Sequence, residues 1–408
     1  MRLSFIYGVA RHCLASSVAT HGAGAAIYIS AVGGLHTGEH MVGIAAGTSR
    51  ITLSSGERLP FEPRDKPVSQ HSDLLVRIGD ALPLVLVGVG ADGEPTTVIE
   101  DAAELYAARL AATLRAGSLA GQQLSLTTEL GLAGELMLAV PGWWSPQVLS
   151  RINAAFSTHG MNVSLVNAAE AAVAGYRLNG ASLPQQVVVI DARRSFTSVV
   201  VVQECQARPH ALLSPTFIHR EGGDALDAAV LRHLVVGLKN VGDEIDTRNA
   251  ATISAAQVAL AECRQLREAL SQRSTASLQL DLPGSAHPVL VARSELDELA
   301  TPWTDTIVSM VRTAIEQSPK EVQAALITGG LAAMPLLTQR LSADLELDVH
   351  VPENLGMVIA EGANALNQGV NESKRAWSAW RRFLRPRSSG RQALRVPHTP
   401  PHPASRAW

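Results

Sequence analysis

The strongest hydrophobic signal along the chain lies at Val187–Val202, VVVIDARRSFTSVVVV, where two β-branched runs flank a polar segment. Unbroken Val/Ile runs predict strands covered on both faces, here a buried hairpin with a polar turn. Asp191 closes the first run. A carboxylate there is costly to bury without a partner, so the pattern points it into a cleft. A plain solvated turn accounts for the same Asp, Arg and Ser residues equally well. A second strand–turn–strand pattern, MVGIAAGTSRITL from Met41, sets Gly47, Thr48 and Ser49 at a small-residue tip. Amides and hydroxyls at such a tip suit phosphate oxygens, although a turn without a ligand has the same composition.

The remaining pattern is mixed. Residues 54–100 hold short apolar runs broken by Gly, Pro and charge, which predicts short strands and loops. Ala103, Tyr106, Leu110 and Leu114 carry helical spacing within 100–116. ELMLAVPGWWSPQVLSRINAAF predicts a strand over 135–140, a Pro141-Gly142 turn, and a helix capped by Ser145 with Pro146 at its first position. A short strand at 163–167 precedes a small-residue helix at 168–176. Gly222-Gly223 opens a helix near Asp224, where helix amides suit an anion and Asp224 alternatively serves as a simple N-cap. Long helices are predicted over 254–271 and 293–317, separated by a hairpin. AALITGGLAAMP is a strand entering a helix through Gly329-Gly330, and MVIAEGANAL closes the core.

These elements fall into two similar halves, each a hairpin with a polar tip followed by a strand that enters a helix through a glycine turn. An α/β duplication of this kind makes a cleft between two lobes, a natural place for a nucleotide.

Composition narrows the class. The chain of 408 residues is long enough for two domains, and 46% hydrophobic with 17% charged residues fits a globular protein with an aliphatic core. Cys13, Cys205 and Cys263 have no paired spacing, which argues against disulfides or zinc and for a reducing, cytoplasmic setting. No run of apolar residues is long enough for a membrane span. From Asn371 onward nine Lys/Arg face one acid, so the tail carries about +8 and the body about −11 against a total of −3. An acidic body does not suggest a nucleic-acid groove.

The order of motifs resembles the ATPase domain of the seventy-kilodalton heat-shock chaperones, within the actin-like fold. VGIAAGTSRITL is similar to that family's first phosphate hairpin and VVVIDARRSFTSVVVV to its second. LAVPGWWSPQVLSRINAAF with VSLVNAAEAAVAGY resembles the connecting segment, and GGDALD the phosphate-contacting glycines. CRQLREALS resembles the adenosine-contacting helix, and LITGGLAAMP the turn that holds the nucleoside. The resemblance runs in order over roughly residues 42–368. It implies ATP or ADP with Mg²⁺, held by Gly47, Thr48, Ser49, Gly222, Gly223, Arg267, Ser271, Gly329 and Gly330. Asp191 is implied as the catalytic and metal-orienting carboxylate.

The departures matter as much. The family's water-positioning acid falls on Ala45, and the glycines after Asp191 on Arg193, Arg194 and Ser195. Two arginines at this point either offer charge to an anion or fill the site. The catalytic Glu falls on Ala168, with Glu170 in reach only on a shifted register. A Glu and a Lys on the adenosine helix become Arg264 and Arg267, and the adenine-covering Arg becomes Ala333. The expectation is weak ATP binding with slow or no hydrolysis. The alternatives are a pseudo-ATPase scaffold that binds a protein partner and, further off, a small-molecule kinase.

The expected organisation is an extension at 1–40 outside the core, lobe I at 42–185, lobe II with its closing helix at 186–368, and a basic disordered tail at 369–408. The extension allows a natural start at Met41 or, alternatively, a cleaved or membrane-associated leader. About forty residues after 368 are too few for a peptide-binding domain and lid. Within the tail, Trp377, Trp380 and Leu384 with Arg381, Arg382 and Arg385 outline a basic amphipathic helix at 374–387 suited to an anionic membrane surface or a partner groove, the favoured alternative being disordered, solvated chain.

Overall fold

The structure is a computed structural model of the chain, and it describes residues 42–45, 50–53, 58–60, 74–82, 84–89, 95–119, 135–204, 210–238, 250–282 and 285–366. The expectations for 1–40 and for the tail lie outside these residues, as do Gly47, Thr48 and Ser49. The chain divides into two compact units, Met1–Asn367 and Gln368–Trp408, and every described element belongs to the first. No helix among the described residues is long and apolar enough to cross a membrane.

Two sheets share one topology. In the first, β1 (Val42–Ala45), β2 (Arg50–Leu53) and β3 (Arg58–Pro60) form an antiparallel run. β6 (Glu135–Val140) and β7 (Asn162–Asn167) add on the other side of β1 in parallel, giving the order β3-β2-β1-β6-β7. In the second, β8 (Gln186–Ala192), β9 (Thr197–Glu204) and β10 (His210–Leu212) are antiparallel, and β14 (Ala324–Thr328) and β15 (Asp348–His350) join β8 in parallel. β11 (Phe217–His219) also pairs with β9. Two separate hairpins complete the strands, β4 (Leu84–Val89) with β5 (Pro95–Glu100) and β12 (Thr275–Leu282) with β13 (Ser285–Ala292).

The valine runs work as strands buried on both sides. Val188 and Ile190 of β8, Val199 and Val201 of β9, and Ala325 and Ile327 of β14 face one cluster, shared with α7 (Arg293–Glu316) and α8 (Pro335–Leu345). Their neighbours Val187, Val189, Val200, Val202, Ala324 and Leu326 face another. This alternation is the period of two that a pleated strand imposes. The second of these clusters is the middle layer of the molecule. It also takes Ala45, Met137 and Ala139 from the first sheet, together with α4 (Ala168–Leu178) and α9 (358–366).

The middle layer is built from small residues because two helix backbones nearly touch there. A Cβ on Gly175 would stand 1.8 Å from the Val358 carbonyl oxygen, and one on Gly362 would stand 1.7 Å from that of Ala171. No side chain fits at either position.

On the outer face of the first sheet, α1 (Leu74–Gly79), α2 (Ala102–Leu119) and α3 (Pro146–Thr158) close a third cluster. The predicted stripe on α2 is buried at Ala103, Tyr106 and Leu110, with Leu114 packed at its edge. The helix starts at Ala102, just ahead of its apolar stripe, where Asp101 Oδ1 accepts from the Ala103 and Glu104 amides at 2.7 and 3.1 Å. Ser145 caps α3 as its sequence predicts, accepting from Val148 N at 3.3 Å. α1, set among broken apolar runs, is not anticipated by periodicity. A fourth cluster joins α5 (Gly223–Gly237), α6 (Ala250–Leu270), β12 and β13.

Gly175→Ala and Gly362→Ala are each expected to lower the unfolding free energy by about 2 kcal/mol or more, the cost of forcing atoms into filled space. Denaturant midpoints measure this. A midpoint equal to wild type would mean that α4 and α9 separate freely.

Candidate functional site

The site forms around the β8–β9 turn. Asp191 lies in register with Thr328 of β14 and Ser198 of β9, so the strand pairing sets its position. Its side chain does not project freely into a cleft: the residue is 3% exposed. Arg193 Nε donates to Oδ2 at 2.6 Å, and the Thr328 hydroxyl lies 3.4 Å from Oδ1. The partner that burial demands is therefore supplied by the chain itself, two residues on. The turn closes by a hydrogen bond from Arg193 N to the Phe196 carbonyl at 2.9 Å.

Both predicted glycine turns reach this hairpin. A Cβ on Gly222 would meet the Arg193 carbonyl oxygen at 2.2 Å. Gly329, at φ +84°, would place its Cβ 2.2 Å from the Ala192 carbonyl oxygen. Only glycine serves at 329, since its left-handed backbone and the approach of Ala192 both exclude a side chain. Gly330 faces open space and begins a 3-10 turn, Gly330–Ala333. α8 follows that turn, with Pro335 at its start, so β14 does not enter the helix directly from the glycines as its sequence suggests.

The helix start at Gly222-Gly223 is also already partnered. Gly223 N donates to the Arg193 carbonyl at 3.1 Å and Asp224 N to that of Arg194 at 2.9 Å. Two of the amides that helix geometry leaves for an anion are thus taken by the turn. Gly222, not Asp224, is the N-cap, and no side chain caps the helix.

Asp224 instead belongs to an ion-pair series. Its Oδ1 receives Arg194 Nε at 2.6 Å and Arg264 Nη2 at 3.1 Å. Asp227, one turn on and 1% exposed, receives Arg264 Nε at 3.3 Å and Arg267 Nε at 2.7 Å. Three guanidinium groups against two carboxylates leave this series with one net positive charge. Arg267 is buried beside Gly223, and the Ser271 hydroxyl donates to the Arg267 carbonyl at 3.1 Å. Asp191, Gly222, Gly223, Arg267 and Gly329 therefore lie about one hairpin turn. Gly330 adjoins them, and Ser271 lies one helical turn beyond Arg267.

Arg193 and Thr328 already contact both carboxylate oxygens of Asp191, so a hydrated Mg²⁺ there would have to share Asp191 with the Arg193 guanidinium or displace it. Among the described residues, no group of three or more His, Cys, Asp or Glu side chains could hold a metal ion. Ala45 and Ala168 are buried in the middle layer and offer no polar group. Burial raises the Glu170 carboxyl above its ordinary value of 4.5. Burial and nearby Asp227 and Glu262 push the Cys263 thiol up to about 12, so it is an unreactive core residue.

Residues passed over in the sequence complete the neighbourhood. Phe196, 0% exposed, leaves the hairpin turn to pack in the cluster on the outer face of the first sheet. Its ring meets Trp143 edge-on, with centroids 5.8 Å apart. A large aromatic inside a turn otherwise rich in polar residues was the available signal.

The fold and site define an α/β protein with a duplicated hairpin-bearing sheet and a hairpin turn whose own arginine pairs with its buried aspartate. The family profile described as Hsp70 protein matches residues 126–376, more than half the chain, and the chain belongs to that family. Membership carries the actin-like ATPase fold. The chain is 25% identical over 248 residues to a heat shock protein homolog of Eremothecium gossypii, a match covering 57% of this chain and 35% of that protein. It is 29% identical over 147 residues to a chaperone protein HscA homolog of Variovorax paradoxus, covering 35% of this chain and 22% of the other. The chain thus matches about a third or less of the length of these relatives.

Asp227→Asn is expected to cost about 3 kcal/mol or more, because it strands the buried Arg267 and weakens Arg264. Denaturant unfolding measures the loss, and a change within experimental error would make the series dispensable. For Glu170 the sign follows from its raised folded value. The stability it contributes is present in acid and is lost as pH rises from 4.5 through the folded value. Glu170→Gln should therefore melt higher than wild type near neutral pH and match it below the ordinary carboxyl range. A gain that persists in acid would remove titration as the cause.

Proposed function

We propose that this chain is a pseudo-ATPase of the Hsp70 family. Its two lobes, 42–185 and 186–368, face a cleft in which ATP is bound weakly and is not turned over. One observation carries the reading: Arg193 lies on Asp191 at 2.6 Å, where the family resemblance implies a hydrated Mg²⁺. A resident cation takes the metal's electrostatic role, and the carbonyls of Arg193 and Arg194 take helix amides suited to phosphate. Ala45 and Ala168 add the absence of a group to orient water, which costs rate more than affinity. The activity that remains is that of a chaperone-like scaffold for a protein partner in the cytoplasm, and the names of both relatives support that class.

Weak ATPase activity is the second reading. Gly329-Gly330 keeps its nucleoside-type turn with open space over Gly330, and Ser271 keeps its place near Arg267.

Calorimetric titration with Mg-ATP separates the two readings. Wild type should bind near the millimolar range, and Asp191→Asn should bind no more weakly. Arg193→Gly, which frees Asp191, should gain about tenfold in affinity in a Mg²⁺-dependent way, about 1.4 kcal/mol. Tight binding or steady turnover by wild type that Asp191→Asn abolishes would overturn the pseudo-ATPase reading.

A further inference from the structure

We infer that Asp80, Arg220, Trp143 and Phe196 form an internal clamp that holds the helical layer of the first sheet against the hairpin of the second without nucleotide. The four residues lie far apart in sequence but make one continuous series. Asp80 follows α1, and its carboxylate receives both Nη1 and Nη2 of Arg220, the latter at 2.7 Å. Arg220 stands between β11 and α5, and its guanidinium carbon lies 6.0 Å from the Trp143 ring centroid. Trp143 follows the Pro141-Gly142 turn and meets Phe196 at an interplanar angle of 79°. Phe196 in turn lies 5.8 Å beneath the Arg193 guanidinium, which is held on Asp191. The order is acid, cation, ring, ring, cation, acid, running from a helix end on one side to a central strand on the other.

Neighbouring residues seat the series. A Cβ on Gly79 would stand 2.0 Å from Cζ3 of Trp143, so a glycine at the end of α1 makes room for the indole. Trp144 turns the other way and donates from Nε1 to the Leu75 carbonyl at 3.2 Å, which fixes the dipeptide to α1. Phe196 belongs to the same buried cluster as Ile44, Leu74, Ile78 and Trp144, although its strands belong to the second sheet. A side chain of the hairpin is thus part of the other sheet's core.

The two ends of the clamp differ. The inner pair is largely shielded, with side chains 13% and 4% exposed, whereas the Arg220 side chain is 53% exposed and its pair with Asp80 is open to water and salt. Opening therefore starts at Arg220 and leaves the core of each side intact.

The inference rests on the pseudo-ATPase reading only in taking the cleft to be free of tightly bound nucleotide. Hydrogen–deuterium exchange on the full chain tests it, comparing wild type, Arg220→Ala and Arg220→Lys with and without millimolar Mg-ATP. Arg220→Ala should raise exchange by about fivefold in both α1 and the β8–β9 turn, from the summed loss of an ion pair and a cation–π contact. Arg220→Lys, which keeps the charge, should recover much of the protection. Phe196→Leu, which keeps apolar bulk, should loosen α1 as well as its own turn. If Arg220→Ala speeds exchange only beside position 220, the clamp is a surface ion pair and the inference falls, whatever nucleotide does. If the variants behave as expected but micromolar Mg-ATP, added as a further arm far below the expected binding range, already protects the wild-type turn, the clamp stands and the pseudo-ATPase reading falls.

Discussion

A carboxylate at the end of a central strand buried on both faces needs a cation, and Asp191 takes one from Arg193. Much of the candidate site follows from this pair. With its guanidinium drawn onto Asp191, Arg193 turns its carbonyl toward Gly222-Gly223, and the first amides of α5 close on the turn. Arg194, next along, reaches out to Asp224 and joins the hairpin to the charges of α5 and α6. In a low-dielectric setting each pair is held by the cost of leaving its partner unpaired, more than by its own attraction. The glycines at 222 and 329 serve close backbone packing against this hairpin, and that need would persist with no phosphate present.

A second constraint comes from the middle layer. Two helices that pass with backbone almost touching backbone leave no room for large side chains, and the composition of α4 and α9 reflects this. Such packing is rigid, because neither helix can slide without a carbonyl meeting a Cα. The sheets are joined by this seam in the middle and by the Phe196 contact at the hairpin. One joint is made of small residues and the other of rings and charges, and they respond differently: salt weakens the outer pair at Asp80 and leaves the seam untouched.

Much of this was legible along the chain. The valine runs foretell strands covered on both faces, the Ser145-Pro146 pair foretells the start of α3, and the stripe on α2 is buried where its spacing places it. These are local signals, fixed by a period or a cap. The site was legible only in part. Asp191 and Arg193 stand two apart where β8 runs into its turn, and the period of two could have paired them by that rule alone. Asp224 with Asp227, and Arg264 with Arg267, are each spaced for one helix face, so two matching stripes of opposite charge lay open to view. Their meeting is non-local, and nothing in either stripe names the other. Trp143, Arg220 and Asp80 were hidden for the same reason: each reads as ordinary turn or loop composition until the fold brings α1, the turn after β6 and the segment after β11 together.

On the pseudo-ATPase reading proposed above, the residues that depart from the family resemblance at the β8–β9 turn form one coupled change. Measured against the family pattern, the chain loses carboxylates at Ala45 and Ala168 and gains guanidinium groups at Arg193 and Arg194. A cleft with several acids is stable only when a cation neutralises them, and an exchangeable metal bound with nucleotide makes that neutralisation conditional on ligand. Removing two acids leaves Asp191 as the carboxylate the hairpin must satisfy, and a single arginine just past the same strand meets that need permanently. Arg194 is then one positive charge too many for the hairpin alone, and Asp224 takes it. The turn that balances Asp191 with its own arginine also supplies Phe196 as a surface for Trp143, so charge pairing and aromatic packing share one short stretch of the chain.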